Sequence, residues 1–217
     1  MTGPVHRKAR LDPRSKTGGF SLLFREIQTC KGKNTCPALK TRQFYFEPNH
    51  RTAGFWREQE FWNSELDYRV MFVCESPGPS ADQGKPEDVE PCFYGSSRDR
   101  RFMEVRKKYG LANCYMTNTV KCGVRNGGRH SPAEVGACSK FLERELHLIE
   151  PQVIVGVGVN AFQSLRKFMV AHLDIPPILF QITHYSSRRN PWVDWDREFP
   201  ELLRLLGRLR PRRDWTE

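Results

Sequence analysis

The sequence contains no run of eighteen or more apolar residues, about the length that an α-helix needs to cross a bilayer. Its first residues, MTGPVHRKARLDPRSK, are charged and no apolar stretch follows them, so we expect no secretory signal peptide. No repeat or low-complexity block interrupts the 217 residues, and one main domain is the default for this length. We therefore expect a cytoplasmic protein with no membrane partner, and a monomer.

Acidic residues are fewer than basic ones. The chain has 25 Asp and Glu against 35 Lys and Arg, which gives a formal charge of +10. Such a charge favours nucleic acid as a partner, because Lys and Arg contacts release the counterions condensed on polyphosphate chains. A basic surface that only keeps the protein in solution is the alternative. Residues 1–19 lack apolar periodicity and predict a flexible basic arm, which leaves residues 20–217 as a single folded domain.

The sequence also lacks the C-x2–4-C pairs that are typical of structural zinc sites. Cys30 and Cys36 have five residues between them, and Cys122 and Cys138 have fifteen. In a reducing compartment, seven cysteines favour metal ligation or buried thiols over disulfides. Thiolates from dispersed loops suit an iron–sulfur cluster at least as well as zinc. The cysteines therefore predict a soft-metal site and leave its metal open.

Four short apolar runs predict the strands of one sheet, because nearly continuous apolar residues are typical of strands that are buried on both faces. These runs are residues 69–73, 114–120, 152–159 and 177–182. Amphipathic stretches predict the helices, and they are residues 20–28, 98–109, 132–149, 160–170 and 196–209. Strand and helix alternate, so we predict an α/β fold, a three-layer α/β/α sandwich around a mostly parallel four-stranded sheet.

Polar residues follow the first predicted strand, where ligands of open parallel sheets bind. Glu75 and Ser76 lie in a turn that Pro77 and Gly78 close. A carboxylate and a hydroxyl there could hold a water molecule, and Gly78 would let the backbone approach a ligand. An ordinary turn with exposed polar side chains is the alternative.

Two further residues are candidates for binding a planar ligand. Asn118 lies in a run that is otherwise apolar or threonine, and a buried amide needs partners for its oxygen and its nitrogen. It could cross-link loops, or it could bind the edge of a nucleobase. Phe93, in PCFYG, could stack on such a ligand, although core packing is the usual role of an aromatic ring.

His184 ends the fourth predicted strand and opens a polar loop. Its imidazole could donate a hydrogen bond to a developing anion, and a histidine that only caps a strand is the alternative. Arg188, Arg189 and Asn190 follow in the same loop. The two guanidinium groups are solvated charges by default, but beside a nucleic acid they could contact phosphates or fill the space of an extruded base.

Several of these segments together resemble the uracil-DNA glycosylase superfamily, in particular its iron–sulfur-containing family 4 branch. The resemblance covers residues from about Cys30 to Pro191. Residues 117–122 read TNTVKC where the family has TNxVKC, and residues 131–138 read SPAEVGAC where it has PxPxEhxxC. Residues 142–158, LERELHLIEPQVIVGVG, are similar to its LxxELxxLxPxVIVxLG. Two shorter motifs, CESPG and PCFYG, stand in the places of GEAPG and PFxG.

The resemblance implies a cofactor and four ligands for it. Cys30, Cys36, Cys122 and Cys138 would bind a four-iron four-sulfur cluster, and zinc becomes the less favoured metal. Cys74 and Cys92 stay as alternative ligands or free thiols.

The resemblance also implies roles for the other candidates. Phe93 would stack on uracil, and Asn118 would form hydrogen bonds with its edge. His184 would stabilise the departing uracil anion. Glu75 would help to place the attacking water, and Ser76 stands where relatives carry Asp, Asn or Ala, so it is a second candidate for that role.

The chain departs from the family pattern at its first cysteine pair, which is C-x5-C where the family has C-x2-C, and at the substrate loops. Cys74 replaces the usual glycine, and residues 184–186 read HYS where the family has HPA or HPS. Residues 189–191, RNP, are similar to the loop HPSPRNP of the single-strand-selective branch. The departures at the substrate loops could change which bases are removed, whether single- or double-stranded DNA is preferred, and the rate. They have less bearing on the fold.

The function that the resemblance implies is a monofunctional, base-flipping DNA glycosylase. It would remove uracil from single- or double-stranded DNA in base excision repair. Two alternatives retain the fold: an enzyme for another damaged base, such as hypoxanthine or xanthine, and a noncatalytic iron–sulfur DNA-binding protein. A zinc-stabilised α/β protein that acts on nucleotides is a weaker alternative.

Overall fold

The computed structural model describes two parts of the chain. The main part comprises residues 68–76, 97–112, 114–121, 130–172, 176–185, 187 and 190–209. The smaller part comprises residues 19, 22, 23, 25–27 and 30. The predicted basic arm lies outside both parts except for Gly19, so the boundary between arm and domain stays a prediction.

Four strands and four helices alternate in the main part. The strands are β1 Val70–Cys74, β2 Tyr115–Asn118, β3 Val153–Val157 and β4 Ile178–Ile182. The helices are α1 Ser97–Lys108, α2 Pro132–Ile149, α3 Val159–His172 and α4 Pro191–Leu206. The order of elements agrees with the alternation that the apolar runs predict.

The four strands form a parallel sheet in the order β2-β1-β3-β4. Met71 pairs with Tyr115 on one side of β1 and with Ile154 on the other, and Val157 pairs with Ile182. The chain runs from β1 to β2 and then returns past β1 to β3. The strand order therefore reverses between β1 and β3, and the crevice beyond their carboxyl ends is where open α/β sheets bind ligands.

Helices cover both faces of this sheet, as the prediction of three layers requires. Phe72 and its neighbours pack on α1 and α4, where Phe102, Trp195 and Phe199 are buried. The alternate strand residues face α2 and α3, and that second cluster comprises Met71, Val73, Tyr115, Leu142, Leu146, Ile149, Ile154, Leu165, Phe168 and Met169. The two clusters alternate along β1 because successive side chains of a strand point to opposite faces.

The prediction that β4 is buried on both faces is wrong. Ile178 is 39 % exposed and Gln181 is exposed, and only Ile182 is fully buried. β4 lies at one end of the strand order and pairs with β3 alone among the described strands. An apolar run shows that a segment favours a strand, but it does not show whether the strand is central or at an edge.

The predicted start of α4 at residue 196 is also wrong, because this helix begins at Pro191. The side-chain oxygen of Asn190 accepts a hydrogen bond from the backbone N–H of Trp192 at 3.2 Å. Proline fits the first position of a helix, where its missing N–H would have no intrahelical partner. Asn190, predicted to contact DNA, is thus the N-cap of α4.

Helix α2 begins with a capping box, at the sequence spacing of Ser131 and Glu134 that is typical of this motif. The N–H of Ser131 donates to the Glu134 carboxylate at 2.7 Å, and the N–H of Glu134 donates to Ser131 Oγ at 3.3 Å. In the smaller described part, residues 22, 23 and 25–27 are helical, and Leu23 and Ile27 pack on Phe141 of α2. The helix predicted there is confirmed at the described positions.

A buried arginine connects α1 to β2. Arg106 donates hydrogen bonds to the carbonyl groups of Leu111 at 2.9 Å, Ala112 at 3.0 Å and Cys114 at 2.7 Å. These bonds satisfy the carbonyl groups of the turn that leads into β2. None of the helices in the described ranges is long and apolar enough to cross a membrane.

Candidate functional site

The side chains of Glu75 and Asn160 meet at the point where the strand order reverses. Glu75 follows β1, and Asn160 is the second residue of α3, just beyond β3. Asn160 Nδ2 donates a hydrogen bond to Glu75 Oε2 at 2.9 Å. Both side chains are half-buried. The crevice at the carboxyl ends of β1 and β3 therefore contains the Glu75 carboxylate after β1, and the Asn160 amide after β3 donates a hydrogen bond to it.

Sequence reasoning missed Asn160. The signal that selected Glu75 and His184 was their place after the carboxyl end of a strand, and Asn160 has the same place after β3. Applying that criterion to all the strands would have found it.

The backbone of Glu75 is fixed to the residues that follow β2. Its carbonyl oxygen accepts hydrogen bonds from the N–H of Val120 at 3.0 Å and from Thr119 Oγ1 at 2.7 Å. The N–H of Thr119 also donates to the carbonyl of Cys74 at 2.8 Å. These bonds extend the pairing of β1 and β2 beyond the strand ends, so the position of Glu75 is determined by the sheet.

Asn118 ends β2 and pairs in register with Cys74, the last residue of β1. Its residue is 4 % exposed, so the amide is buried, as predicted. Asn118 and Glu75 therefore lie at the carboxyl ends of neighbouring strands. Ser76 is half-buried in the turn after β1, whereas Gly78 and Phe93 lie outside the described residues.

His184 is placed against β3 by a glycine. Gly158, directly after β3, has a φ of +89°, and a Cβ atom added to it would be 2.9 Å from the Cβ of His184. A residue with a side chain would be strained at this φ and would collide with His184. Gly158 thus allows the close approach of the two segments, and it is two residues from Asn160.

Tyr185 stacks on the imidazole of His184, with ring centroids 4.1 Å apart and an angle of 28° between the planes. The Tyr185 ring also contacts Phe102 of α1, at 5.5 Å between centroids. This tyrosine stands where the resembling family has proline. It anchors the start of the His184 loop to the core on the side of α1 and α4.

Thr183, the residue before His184, is held by α4. Its N–H and its hydroxyl both donate to the Glu198 carboxylate, each at 2.8 Å. Its carbonyl oxygen accepts a hydrogen bond from Trp195 Nε1 at 2.8 Å. Burial raises the pKa of Glu198 above its usual value, and the two hydrogen bonds from Thr183 oppose that rise.

Basic side chains are exposed along α1. They are Arg98, Arg100, Arg101, Lys107 and Lys108. The Arg101 guanidinium lies over the Trp192 ring of α4, 4.4 Å from its centroid. Trp192 is in the first turn of α4, so this contact is near the carboxyl ends of the strands. Arg188 and Arg189, predicted to contact DNA, lie outside the described residues.

Two of the four predicted cluster ligands lie on elements that pack together. Cys138 is in α2 and 6 % exposed, three residues before Phe141. Cys30 packs against the cluster of Leu23, Ile27 and Phe141. The other two predicted ligands, Cys36 and Cys122, lie outside the described residues. No group of three potential ligands occurs within the part of the chain that the structure describes.

The other described cysteines are core residues. Cys74 and Cys114 are buried in the apolar cluster on the side of α1 and α4, whereas Cys138 belongs to a helix on the opposite face. This separation argues against Cys74 as an alternative ligand beside Cys138. Burial raises the pKa of the Cys114 thiol to about 11, with an opposing effect from the Arg106 charge. Cys114 is therefore a protonated, buried thiol.

A buried polar network joins the end of β2 to α2. Lys121 Nζ donates to Glu145 Oε2 at 2.5 Å, and also to Thr117 Oγ1 at 2.7 Å. Glu145 Oε1 accepts from Thr117 Oγ1 at 2.8 Å and from the Tyr115 hydroxyl at 3.0 Å. Lys121 directly precedes Cys122, and α2 carries Cys138. The network therefore holds α2, which carries Cys138, against the residues that directly precede Cys122 in the sequence.

Comparison with known proteins agrees with this architecture. A protein-family model described as the uracil DNA glycosylase superfamily matches residues 61–206. The type-4 uracil-DNA glycosylase of Thermotoga maritima is 34% identical over 99 residues, which cover 44% of this chain and 48% of that protein. The type-4 uracil-DNA glycosylase of Archaeoglobus fulgidus is 31% identical over 146 residues, which cover 66% of this chain and 61% of that protein.

A third relative, the type-4 uracil-DNA glycosylase of Sulfurisphaera tokodaii, is 33% identical over 103 residues, covering 46% of this chain and 44% of that protein. The chain spans about half the length of these curated relatives. The family model covers every strand of the sheet and the four helices on its faces. The chain therefore belongs to the uracil-DNA glycosylase superfamily.

Proposed function

We propose that this protein is a monofunctional DNA glycosylase that hydrolyses the N-glycosidic bond of uracil in DNA and acts in base excision repair. One observation carries the proposal: Glu75 and His184 come to the same carboxyl ends of the sheet, on either side of β3. The three relatives are type-4 uracil-DNA glycosylases, which favours this reaction in a chain of the same superfamily.

Binding begins with extrusion of the nucleotide, because the glycosidic bond cannot be reached inside the base stack. Phe93 stacks on the extruded uracil, and the buried amide of Asn118 binds its edge, which offers a donor and an acceptor side by side. Gly78 lets the backbone approach the base. These three roles rest on the resemblance and on the place of Asn118 at the end of β2.

His184 acts on the leaving group. As the bond between C1′ of the sugar and the base nitrogen breaks, its electron pair leaves with uracil, which becomes an anion. The imidazole donates a hydrogen bond to that anion. By analogy with oxyanion-hole donors, one preorganised donor stabilises the transition state by ~3 kcal/mol.

Glu75 acts on water, with Ser76 as a second partner. The water oxygen bonds to C1′, and its proton passes to the carboxylate or to solvent. Asn160 occupies one carboxylate oxygen of Glu75 at 2.9 Å, which leaves the other oxygen to accept from the water. The contact with Asn160 thus supports a role for Glu75 in holding water, and it argues against the alternative that Glu75 is an ordinary exposed turn residue.

Contacts with DNA would be mainly electrostatic. The exposed cations of α1 and the formal charge of +10 suit a phosphate backbone in single- or double-stranded DNA. Arg188 and Arg189 follow the His184 segment and would contact phosphates near the extruded base, with Asn190 capping α4 behind them. We expect a cytoplasmic monomer.

Four cysteines would hold a four-iron four-sulfur cluster, namely Cys30, Cys36, Cys122 and Cys138. The described part of the site fits such a group, because Cys30 and the buried Cys138 lie on elements that pack together through Phe141. When bound, the cluster would cross-link the N-terminal segment to the segment between β2 and α2. Zinc is the less favoured metal, and the colour of a protein purified without oxygen distinguishes them, since only the cluster is brown.

A panel of oligonucleotides tests the proposal. Each carries one uracil, hypoxanthine or xanthine in single- or double-stranded DNA, and a thymine oligonucleotide is the control. We expect uracil to be released fastest. Faster release of hypoxanthine or xanthine would support the alternative substrate, and salt-sensitive binding without any abasic product would support the noncatalytic alternative.

A further inference from the structure

Helix α4 holds each polar group of Thr183. The two hydrogen bonds to Glu198, both at 2.8 Å, occupy the N–H and the hydroxyl. The carbonyl oxygen accepts from Trp195 Nε1 at 2.8 Å. The hydroxyl is also 3.2 Å from Asp194 Oδ2, but one hydroxyl proton serves one acceptor at a time and the Glu198 contact is shorter. Thr183 therefore has one preferred position relative to α4.

This position matters for His184 because the two residues share a peptide bond. The Thr183 carbonyl that Trp195 holds belongs to the peptide plane leading into His184. The preceding strand, β4, is the last strand of the described sheet and has exposed positions, so it restrains this peptide less than a central strand would. Gly158 and Tyr185 contact His184 on its other sides. The hydrogen bonds that join Glu198 and Trp195 of α4 to Thr183 restrain His184 from the side of the preceding residue.

A purely structural role is the alternative for Glu198, since its hydrogen bonds also tie the end of β4 to α4. Three features favour a role in positioning. The carboxylate is partly removed from water at an electrostatic cost, which raises its pKa. Asp194, four residues earlier, adds like charge. Both bonds go to the one residue that precedes His184, instead of to the body of the strand.

We propose that Glu198 is a positioning residue: through Thr183 it fixes the orientation of the His184 imidazole toward the leaving base. The inference rests on the proposed function, because it needs His184 to act on that base. Glu198 is bonded to Thr183 and acts on His184 only through that residue. Its loss should lower the rate of bond cleavage and leave DNA binding unchanged, because a small displacement of an oriented group has a large effect on rate.

The test uses the full-length protein and a uracil oligonucleotide under single-turnover conditions. Glu198→Ala removes both acceptors. Glu198→Gln is the conservative variant: its oxygen can accept from the Thr183 N–H, and its amide can donate to the Thr183 hydroxyl while that hydroxyl donates to Asp194. Glu201→Ala, an exposed position on the same helix, is the matched control. The rate at saturating protein and the half-saturating protein concentration are measured for each.

We expect Glu198→Ala to lower the saturating rate by about tenfold or more, with the half-saturating concentration within about twofold of the original. Glu198→Gln should recover the rate to within about threefold, and Glu201→Ala should leave it unchanged. The His184 ring signals, assigned in NMR spectra by their loss in His184→Ala, should shift in Glu198→Ala and not in Glu201→Ala.

Other outcomes overturn the inference. An unchanged rate in Glu198→Ala contradicts it, as does a loss of rate that follows only the fraction of folded protein. If Glu198→Ala does not fold, Thr183→Val replaces it. Valine removes the hydroxyl bond to Glu198 and keeps the backbone N–H bond, so a smaller loss of rate is expected, and an unchanged rate contradicts the inference. If the unaltered protein releases no uracil, the proposed function fails instead, which the same assay shows separately.

Discussion

The carboxyl ends of the strands and the α2 side of the molecule both hold charged groups away from water, but in different ways. We call Glu75, Asn160 and His184 the reaction edge, and the set of Tyr115, Thr117, Lys121 and Glu145 the α2 network. Residues of the α2 network are buried, and Glu145 is 0% exposed. The reaction edge is half-buried, and its members come from three separate segments: the turn after β1, the first turn of α3 and the segment after β4.

The two regions also differ in how well their sequences match the family. Residues 117–122 and 131–138 follow the family motifs closely, and they contain or adjoin the α2 network. Residues 74–78 and 184–191 contain the departures at the substrate loops, and they include Glu75 and His184 of the reaction edge. Buried polar groups must all find partners, so few substitutions are compatible with the α2 network. The half-exposed edge allows changes that alter the substrate or the rate while the fold is kept.

The largest effect on stability should come from the α2 network. Glu145→Ala removes the carboxylate that Lys121 and the two hydroxyl groups contact. A buried ammonium without its partner destabilises a protein by about 3–5 kcal/mol. Chemical denaturation should show this loss in the free energy of unfolding. Glu143→Ala, a half-buried position on the same helix, is the control and should change it far less.

The largest effect on rate should come from the reaction edge. His184→Ala removes the donor to the leaving base and should lower the single-turnover rate by about 10²–10³-fold. The free energy of unfolding should change little, because His184 is only half-buried. His147→Ala, an exposed histidine of α2, is the control and should retain the rate. A rate that falls in His147→Ala but not in His184→Ala would contradict the role of His184 in the reaction.

A smaller effect is expected from Gly158→Ala. The new Cβ would lie 2.9 Å from that of His184, at a backbone φ of +89°. We expect a destabilisation of about 1–2 kcal/mol and a rate about tenfold lower, since His184 must move. Gly136→Ala is the matched control: a Cβ there meets nothing within 4 Å, and alanine in a helix should raise stability by about 0.5–1 kcal/mol. Equal effects of the two changes would contradict the close approach of Gly158 to His184.

Asn160→Ala should have a still smaller effect. It removes the hydrogen bond to Glu75 without touching the α2 network. The rate should fall about fivefold, in keeping with ~1 kcal/mol for one hydrogen bond, and DNA binding should be unchanged. Gln163→Ala, exposed on the same helix, is the control. An effect on binding but not on rate would place Asn160 in contact with DNA instead.

The smallest effect concerns pH and Glu198. Burial raises the pKa of this carboxyl in the folded protein above the ordinary value for a glutamate, about 4.5. The folded state then binds more protons than the unfolded state, so the contribution of Glu198 to stability is lost as pH rises through the folded pKa. Asp194 raises that pKa further and Arg197 lowers it.

Glu198→Gln removes this titration. The stability of the variant relative to the original protein should therefore increase as pH rises above about 4.5 and then level off. Thermal unfolding from pH 4 to pH 7 measures it, with Glu201→Gln as control. A relative stability that falls over this range would mean that the pKa of Glu198 is lowered.

The alternation of strands and helices could be predicted because apolar runs and amphipathic stretches depend on local sequence. The capping box of Ser131 and Glu134 was predictable for the same reason. The burial of β4 was not, since an edge strand and a central strand of a parallel sheet can have the same apolar run. The start of α4 was missed because its cap depends on Asn190 and Pro191, which precede the amphipathic stretch.

The candidate site was predictable where a residue follows a strand, as Glu75 and His184 do. The contacts that organise it were not predictable, because they join positions that are distant in sequence. Asn160 reaches Glu75 across 85 residues, and Glu198 reaches Thr183 from the far side of a loop. Such pairs depend on how α3 and α4 cross the sheet, which a single sequence does not specify.

The most direct measurement of the central claim is the appearance of free uracil, with an abasic site, in a single-turnover reaction on uracil-containing DNA. The protein is predicted to release uracil at a rate that His184→Ala lowers by about 10²–10³-fold, while thymine in the same sequence stays intact. DNA that is bound but keeps its uracil, or a His184→Ala variant that is as fast as the original protein, would contradict the claim.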